Sequence, residues 1–449
     1  MDQLTEYGNF GLEDLDDCVV DDTSNGRFEV SRRMFEDPEL FELEMEHIFG
    51  KTWVYLGHES QVANPHDYQT SRIGQQPVLI TRDEQGKIHA FLNSCPHRGA
   101  ELVGERRGNK KTMMCAFHGW VFSSDGRCLD VNEADAGGYP DQFINQNHDL
   151  LALARVEVYG GFIFGSLNPD VDDLKTHLGG AAKIIDMLAD QSEEGMELLK
   201  GGIRYTSRSN WKLQLENIDG YHFFPTHLSY IGLIQRRMDK GGDDDVKAID
   251  ARQMEEAPGG NYDFGNGHMM DWVYMPNGDE RPLAFQRDRI EKEFGEPGAR
   301  WMIDHVRNLM LYPNVLLMDQ SSSTVRMVHP ISVDETLVEV YCIAPKGEPA
   351  EARLRRVRQF EDFLGPAGLA TPDDQALFEK CQRGLKGQKR GWLQGYARGM
   401  ERLTPGPDEA AREVDIQPVV SGGDINDETL IHGSYRQWLQ LMREGLEAV

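Results

Sequence analysis

The stretches Cys95-Pro-His-Arg-Gly and Cys115-Ala-Phe-His-Gly-Trp each carry one cysteine and one histidine. Together they form the pattern C-x-H-x17-C-x2-H, which offers two thiolates and two ring nitrogens from two separate loops. Thiolate sulfur and imidazole nitrogen are the ligands that zinc and several kinds of iron site prefer in proteins. The two motifs therefore predict one metal centre held between two loop tips.

Two kinds of metal centre use two cysteines and two histidines. Structural zinc sites usually pair cysteine with cysteine and histidine with histidine along the chain. Here each loop mixes the residue types, which favours a Rieske [2Fe–2S] cluster, where two histidines replace two cysteines on one iron. Gly99 and Gly119 leave room for backbone amides beside the sulfides, and Trp120 is expected to exclude water. We predict a Rieske cluster, with zinc as the alternative, at Cys95, His97, Cys115 and His118.

The length and composition of the chain indicate an ordinary protein of several domains. Its 449 residues exceed what one hydrophobic core normally serves, so two or more domains are expected. No apolar run reaches the roughly 18–20 residues of a bilayer crossing, and the N-terminus shows no export signal. The six cysteines lack the spacing of a disulfide framework. We therefore expect reduced thiols, no membrane association and a cytoplasmic location.

The net charge of −28 argues against nucleic acid as a partner, because phosphate binding needs clustered lysine and arginine. Acidic residues are dense in the stretches 13–17 and 242–245. These stretches are either solvated surface or a docking face for a basic patch on an electron donor. A local arginine can still bind an acidic small molecule, since salt screens distant charge.

The periodicity of apolar residues predicts an α+β protein. Short β-rich runs between residues 51 and 168 are broken by turn signals such as Asp83-Glu-Gln-Gly and Ser124-Asp-Gly, which predicts an all-β domain around the two motifs. The rest of the chain mixes helical and strand periods, which predicts helices packed on an antiparallel sheet. Expected helices are 33–50, 175–198, 211–222, 350–364, 372–383 and 434–447; expected strands are 203–211, 308–318, 324–329 and 337–345, and residues 240–300 are expected to be loop-like.

A second group of metal ligands follows about a hundred residues later, in Glu216-Asn-Ile-Asp-Gly-Tyr-His-Phe-Phe-Pro-Thr-His. His222 and His227 are slightly more than one helical turn apart, so a helix that ends or kinks at Pro225 is expected to bring both rings to one metal. Asp219 is three residues before His222 and is expected on the same helix face, where it fixes the tautomer of the ring.

Two histidines need one carboxylate to form a facial triad, which leaves positions open on ferrous iron for dioxygen. A carboxylate is available in Ala370-Thr-Pro-Asp-Asp-Gln. The simpler interpretation of Asp373 and Asp374 is charge at a helix N-terminus with Thr371 as the N-cap. On composition alone that interpretation is preferred.

In the motifs of both sites the chain resembles the α subunit of Rieske non-haem iron aromatic-ring-hydroxylating dioxygenases, in particular the benzoate/toluate/anthranilate dioxygenase branch. The resemblance covers nearly the whole chain. It is carried by the two cluster motifs, by Asp219-Gly-Tyr-His and by segments such as Asn210-Trp-Lys-Leu-Gln, Leu311-Tyr-Pro-Asn-Val and Ala370-Thr-Pro-Asp-Asp.

The resemblance implies roles for individual residues. Cys95 and Cys115 would ligate one cluster iron and His97 and His118 the other. Asp219 would bridge His222 to His118 of a neighbouring subunit, and Asn217 would lie close to the mononuclear iron. The branch usually has two residues between this asparagine and the aspartate, whereas this chain has only Ile218. The implied ligands of the mononuclear iron are His222, His227 and Asp374.

The resemblance also implies a domain plan and a reaction. A helical segment, 1–50, would pack on a catalytic domain, 169–449, and the Rieske domain would be 51–168. The chain would be a terminal oxygenase that cis-dihydroxylates an aromatic carboxylate such as a benzoate with O₂. Electrons would come from NADH through a separate FAD and iron–sulfur reductase, since the chain has no dinucleotide fingerprint. A small β subunit in an α₃β₃ assembly is also implied.

The sequence is compatible with other functions and with several contacts to the substrate. A monooxygenase or demethylase acting on an aromatic acid such as salicylate would share every iron ligand. An electron-transfer protein without catalytic iron and a zinc-stabilised scaffold are the other classes. Because the planar fork of arginine binds carboxylate well, an arginine is expected to meet the substrate carboxylate. Its candidates are Arg204, Arg236 and Arg237, and the candidates for the ring pocket are Phe223, Phe224 and Tyr230.

Overall fold

The computed structural model describes residues 10–239, 257–320, 322–365, 367–387 and 391–448. The chain forms two compact units, one of residues 49–174 and one of residues 1–48 together with 175–449. Within the described ranges no helix combines the length and hydrophobicity that a bilayer crossing requires. The predicted α+β class is confirmed, with β-sheets in both units and most of the helices in the larger one.

In the N-terminal segment a 3₁₀ helix, Leu12–Asp17, is followed by a hairpin, β1 (Val19–Asp22) and β2 (Arg27–Ser31), and by helix α1 (Pro38–Glu44). The Asp37 carboxylate accepts hydrogen bonds from the amides of Glu39 and Leu40, and Pro38 occupies the first helical position. Both features fix a helix start. The predicted helix 33–50 is therefore shorter than expected and ends in a π-helical turn, Met45–Phe49.

The smaller unit is built almost entirely of antiparallel strands, as predicted. Its three sheets have the strand orders β6-β5-β4-β7, β10-β9-β8 and β11-β12-β3. Gly86 and Gly126, both with φ near +85°, close the two predicted turns. Its elements are β3 (Val54–His58), β4 (Asp67–Ile73), β5 (Gln76–Arg82), β6 (Ile88–Leu92), β7 (Arg107–Asn109), β8 (Thr112–Met114), β9 (Val121–Ser123), β10 (Cys128–Asp130), α2 (Asp141–Ile144), β11 (Arg155–Tyr159) and β12 (Phe162–Ser166).

The larger unit packs helices on one long antiparallel sheet. The strand order of the sheet is β13-β20-β19-β18-β17-β16-β15-β23-β22, with β14 also paired to β20. The strands are β13 (Met196–Leu198), β14 (Ile203–Ser207), β15 (Gly259–Gly265), β16 (His268–Tyr274), β17 (His305–Leu311), β18 (Val315–Asp319), β19 (Ser323–Ser332), β20 (Glu335–Pro345), β21 (Trp392–Leu393), β22 (Thr404–Pro405) and β23 (Val420–Gly422). The short strand β21 pairs with β2.

The helices of this unit match the three predicted C-terminal ones closely. Helices predicted at 350–364, 372–383 and 434–447 correspond to α9, α10 and α12. The helices are α3 (Leu174–Leu178), α4 (Ala181–Ala189), α5 (Trp211–Leu215), α6 (Phe223–Thr226), α7 (Leu228–Asp239), α8 (Arg287–Ala299), α9 (Ala350–Asp362), α10 (Thr371–Leu385), α11 (Glu409–Glu413) and α12 (His432–Glu447).

Several predicted boundaries are wrong for local reasons. The helix expected at 175–198 breaks at Gly179, which has φ +52°, and Gly180, where a Cβ would lie 2.1 Å from the Gln417 carbonyl oxygen. The strand expected at 203–211 stops at Ser207 because Asn210 caps helix α5. The strand expected at 308–318 is two strands, since Pro313 cannot continue a β-ladder.

The region expected to be loop-like, 240–300, contains regular structure. Residues 257–300 hold the hairpin β15–β16 and helix α8. Asn266 and Gly267, both with positive φ, form the hairpin turn. An Asn-Gly pair is the strongest short hairpin signal in a sequence. The expectation of a loop gave more weight to the high glycine content of the region than to this pair. Residues 240–256 lie outside the described residues.

Candidate metal centres and active-site cavity

The two cluster loops of the smaller unit have the same backbone turn. The Gly99 amide donates to the Cys95 carbonyl and the Gly119 amide to the Cys115 carbonyl, each at 2.9 Å. Both glycines have φ +76°, a conformation that favours glycine. The loops follow strand β6 and join β8 to β9, so short strands hold both turns.

The four predicted cluster ligands form one pair of thiols and one pair of rings. The Cys95 and Cys115 thiols are buried and hydrogen-bonded to each other, and burial raises the pKa of Cys95. The His97 and His118 rings lie 4.4 Å apart between centroids. Trp120 is buried and stacks on His97 at 4.8 Å. A pair of thiols and a pair of imidazoles are what a cluster with two unlike irons needs.

The state of the histidines also fits a cluster. The buried Nδ1 atom of His118 has no hydrogen-bond partner among the described residues, which is costly unless a ligand satisfies it. Burial, the His118 ring and the Arg98 guanidinium lower the pKa of His97, and this favours the neutral, metal-binding form. The donor set therefore fits a [2Fe–2S] cluster.

The chain before the second site takes a different path from the one predicted. Helix α5 is followed by one 3₁₀ turn, Glu216–Ile218, and the backbone becomes extended at Asp219 with ψ 140°. At Gly220 a Cβ would lie 2.6 Å from Cγ1 of Ile425, so only glycine fits this contact. The predicted helix to His222 with a break at Pro225 is wrong. Pro225 lies inside the first turn of α6, where its missing amide hydrogen costs nothing.

Asp219 nevertheless holds His222, through a turn and not through a shared helix face. Its Oδ1 atom accepts a hydrogen bond from the His222 amide at 3.1 Å, and its Oδ2 atom is 3.1 Å from His222 Nδ1. A carboxylate on Nδ1 keeps the proton there and leaves Nε2 free to bind a metal. The local turn thus performs the orienting role that was predicted for a helix.

His222, His227 and Asp374 meet at one point. Asp374 Oδ1 lies 3.3 Å from His227 Nε2 and 3.6 Å from His222 Nε2. One ligand atom from each residue lies within 4.8 Å of the other two. Ligand atoms about 2 Å from a metal and at right angles to one another are about 3 Å apart, so the group fits a facial triad.

The charges of the triad also favour a cation. Burial lowers the pKa of His222, but the carboxylates of Asp219 and Asp374 outweigh it and raise the pKa to about 9. Asp374 Oδ1 is buried and has no hydrogen-bond donor among the described residues. A site that attracts a proton so strongly also attracts a metal ion, and the residues present fit ferrous iron.

The structure distinguishes the two neighbouring aspartates of helix α10. Asp374 turns inward, with 3 % of its side chain exposed, whereas Asp373 is 38 % exposed and accepts a hydrogen bond from Ser229. Thr371 is not the N-cap as expected. It is the first helical residue, and its hydroxyl donates to the Leu364 carbonyl.

Asn217 is buried beside the triad, and its orientation is fixed by Arg326, which sequence reasoning missed. Asn217 Nδ2 lies 3.3 Å from His222 Nε2, and its Oδ1 accepts a hydrogen bond from Arg326 Nη1. Arginine has no acceptor atom, so the amide oxygen must face it. In the sequence, the signal for a role of Arg326 was its charge, because it lies inside the otherwise apolar strand segment Thr324-Val-Arg-Met-Val.

A cavity opens beside the triad, with about 860 Å³ of free space that includes open solvent at its mouth. Phe223, Phe224 and Tyr230 line it, as expected, and Phe363 joins them. Its polar lining includes residues that the sequence did not single out: Asp271, Asn308, Gln320 and Asn426.

The arginines expected to bind a substrate carboxylate do not line this cavity. Arg204 is half exposed on β14 and pairs with Glu339 at 3.1 Å. Arg236 is exposed on α7, and the side chain of Arg237 lies outside the described residues. Among the described residues that line the cavity there is no lysine or arginine.

The acidic stretch 13–17 forms part of a 3₁₀ helix, Leu12–Asp17, and is partly neutralised within the chain. Asp14 pairs with Arg33 at 2.9 Å and Asp16 with Arg443 at 3.3 Å. These contacts favour the solvated-surface interpretation for this stretch. The stretch 242–245 lies outside the described residues.

Comparisons with known proteins agree with this geometry. The family model of the Rieske [2Fe-2S] domain matches residues 52–149, and that of the ring hydroxylating alpha subunit (catalytic domain) matches residues 196–444. Toluate 1,2-dioxygenase subunit alpha of Pseudomonas putida is 46% identical over 98% of this chain and 96% of that protein. The large subunit of 2-halobenzoate 1,2-dioxygenase of Burkholderia cepacia is 42% identical over 97% and 93%. The solved structure of a Rhodococcus naphthalene 1,2-dioxygenase bound to indole has a TM-score of 0.81 at 26% identity, covering 96% of both chains.

Proposed function

We propose, from the premise that the chain belongs to the family of ring-hydroxylating dioxygenase α subunits, that it is the terminal oxygenase that cis-dihydroxylates an aromatic carboxylate of the benzoate type. Both atoms of O₂ would be added to adjacent ring carbons, with two electrons and two protons supplied from outside. The single observation that carries the proposal is the His222–His227–Asp374 triad in the wall of an aromatic-lined cavity.

Family membership confirms the two predicted cofactors, a Rieske [2Fe–2S] cluster and a mononuclear iron. When bound, the cluster passes single electrons and the ferrous ion activates dioxygen. Our assignment of Cys95, His97, Cys115 and His118 to the cluster is supported by the two matched turns, the contact between the two thiols and the contact between the two rings. NADH and FAD belong to the separate reductase of this type of system.

The protein residues have separate tasks at the mononuclear site. We assign to His222, His227 and Asp374 the holding of the iron, and to Asp219 the fixing of the His222 tautomer. Arg326 turns the Asn217 amide so that its NH₂ group faces the triad. The rings of Phe223, Phe224 and Phe363 exclude water and hold an aromatic ring against the triad.

The substrate class is proposed from the relatives. Toluate and 2-halobenzoate in their names are both monocyclic aromatic carboxylates. The aromatic lining of the cavity agrees with an aromatic substrate, since aromatic rings pack favourably against one another. The 1,2 position in both names puts one new oxygen on the ring carbon that bears the carboxylate and the other on the neighbouring ring carbon.

Partners and domain roles are also proposals. A terminal oxygenase of this family works with a separate reductase and usually with a β subunit, and we propose an α₃β₃ assembly. Asp219 would then connect His222 to the partner's His118 for electron transfer. We assign the Rieske domain to 51–168 and the catalytic domain to 169–449, with 1–50 packed on it. A cytoplasmic location is supported by six free cysteines.

The test is a reconstituted reaction. The holoenzyme, a flavin and iron–sulfur reductase and NADH are incubated under ¹⁸O₂ with benzoate, toluates, halobenzoates and salicylate. The proposal predicts a cis-dihydrodiol acid that is heavier by two ¹⁸O atoms for at least one benzoate. A product with one ¹⁸O would indicate the monooxygenase alternative, and turnover of none of the acids would contradict the proposal.

A further inference from the structure

Part of the cavity wall is one face of the long sheet. Asp271 of β16 pairs with Asn308 of β17, and Asn308 pairs with Met318 of β18. Directly paired residues project to the same face of a sheet. All three residues line the cavity, together with Gln320 just beyond β18. The sheet therefore presents a carboxyl group and two amides to a cavity whose other lining is largely aromatic and aliphatic.

Asn308 fixes the orientation of the two polar side chains beside it. Gln320 Nε2 donates to Asn308 Oδ1 at 2.9 Å, and the side chain of Asn308 is hydrogen-bonded to Asp271. Since the amide oxygen of Asn308 accepts from Gln320, the NH₂ group of Asn308 is the part that donates to Asp271. The three side chains form one row, in which each amide directs its NH₂ group along the wall.

One oxygen atom at each end of this row has no donor. Asp271 Oδ1 and Gln320 Oε1 are buried and without a hydrogen-bond partner among the described residues. A carboxyl oxygen and an amide oxygen are hydrogen-bond acceptors. They do not fit the carboxylate of an aromatic acid, which itself only accepts. They fit a ligand group that carries N–H or O–H.

We propose that Asp271 and Gln320 accept hydrogen bonds from an amino or hydroxyl substituent on the ring of the aromatic acid, so that the enzyme selects donor-substituted benzoates. The inference rests on the proposed function and narrows its substrate class. Phe223, Phe224 and Phe363 line the same cavity as the row, so the ligand that meets these two oxygens is an aromatic one.

The preference follows from desolvation. An aromatic ring that fills the cavity displaces the water that would otherwise hydrate the two oxygens, and only a donor on the ring replaces its hydrogen bonds. Asp271 is about 1 % exposed, so bulk water does not compensate for a missing donor. A site of this kind discriminates against an analogue without the donor, because its buried polar atoms are then left unpaired. A methyl group, which is similar in size to an amino group, has no donor to offer.

The experiment measures binding to the oxidised holoenzyme under argon by calorimetry, so that turnover does not interfere. The ligands are the 2-, 3- and 4-substituted aminobenzoates, hydroxybenzoates and methylbenzoates, and the methylbenzoate is the donor-free counterpart at each ring position. Asp271→Leu and Gln320→Met each remove one acceptor. Met318→Leu, on the same wall, removes none and is the matched control. Cluster absorbance and iron content check that each variant is folded and loaded.

At one ring position at least, the parent is predicted to bind the amino- or hydroxybenzoate about 10-fold tighter than the methylbenzoate, or more. Asp271→Leu is predicted to reduce this ratio to within about 3-fold of equal binding, because leucine offers no acceptor to the donor. Gln320→Met is predicted to lower the ratio by at least about 3-fold, and Met318→Leu to leave it within about 3-fold of the parental value.

Equal binding of the paired acids by the parent at every ring position would overturn the inference. A ratio that survives in both Asp271→Leu and Gln320→Met, or that Met318→Leu removes equally, would overturn it too. Gln320 is only half-buried, so Gln320→Met decides alone should Asp271→Leu fail to fold. The proposed function stands in all of these cases, and it fails instead if the parent hydroxylates none of the acids.

Discussion

Asp219 acts on His222 from two sides, through the backbone amide and through the ring Nδ1. The same carboxylate raises the pKa of His222 after burial has lowered it. Only about a sixth of its side chain is exposed. Asp219 is therefore placed to hold His222, the proposed iron ligand, firmly, as outer partners of metal-bound histidines do.

Replacing Asp219 with asparagine is expected to separate metal binding from turnover. Asparagine keeps an oxygen for the His222 amide but loses the charge on Nδ1, so we expect both metal sites to stay largely occupied. NADH-driven product formation is expected to fall about 10-fold to 100-fold. Iron and sulfide analysis, the visible spectrum of the cluster and product yield are the measurements. Parental turnover by a fully loaded variant would show that the electron path does not need this carboxylate.

At the scale of elements, the turn Asp219–Tyr221 positions the site more than any helix does. It joins the 3₁₀ turn after α5 to the four-residue helix α6, and Gly220 lies against Ile425, far away in the sequence. A Cβ at Gly220 would also lie 2.9 Å from the Ile425 carbonyl oxygen. The backbone contact, and with it the angle between Asp219 and His222, depends on the absence of a side chain.

Gly220→Ala is expected to destabilise the fold by about 1–3 kcal/mol, the usual cost of overpacking, and to lower iron occupancy at the triad but not in the cluster. Gly232→Ala is the matched control. Gly232 lies in helix α7 with nothing within 4 Å of its would-be Cβ, so alanine there should be neutral or stabilising by up to about 1 kcal/mol. Urea unfolding and metal analysis of both variants check this, and equal behaviour of the two would refute the role of the turn.

The sequence was sufficient to propose metal ligands and insufficient to predict the path of the chain between them. Ligand type and spacing predicted Cys95, His97, Cys115 and His118 as cluster ligands, because metal chemistry restricts both. The turn at Gly220 was missed because its cause, Ile425, lies about two hundred residues later. Inward-facing residues of the sheet, such as Asp271 and Asn308, could not be predicted because their side depends on strand register.

At the scale of the larger unit, buried carboxylates tie distant segments together. Glu44 of α1 accepts hydrogen bonds from the indoles of Trp211 and Trp438 and from Lys212 Nζ, at 2.6–2.8 Å. It thus joins the N-terminal segment to α5 and to the C-terminal helix α12. Glu216 plays a similar part for Tyr396 and Tyr435, whose hydroxyls donate to it.

Glu216 is expected to make stability depend on pH. Burial raises its pKa to about 7 against the lowering effect of the two tyrosine hydrogen bonds. Between pH 4.5 and 7 the folded protein therefore binds more protons than the unfolded chain, so stability falls as pH rises through this window and levels off above it. In urea titrations, the free energy of unfolding of Glu216→Gln should fall less between pH 5 and pH 8 than that of the parent. The exposed Glu361→Gln should follow the parent; a Glu216→Gln variant that also followed it would refute this assignment.

The central claim is that one chain holds two chemically distinct iron sites, and metal analysis of matched variants tests it most directly. Iron, zinc and acid-labile sulfide are measured in the parent, in Asp374→Ala and in Cys115→Ala after anaerobic reconstitution. The account predicts about three irons and two sulfides per parent chain, about two of each in Asp374→Ala, and about one iron without sulfide in Cys115→Ala. Zinc without sulfide in the parent, or an Asp374→Ala variant that keeps all its iron, would contradict it.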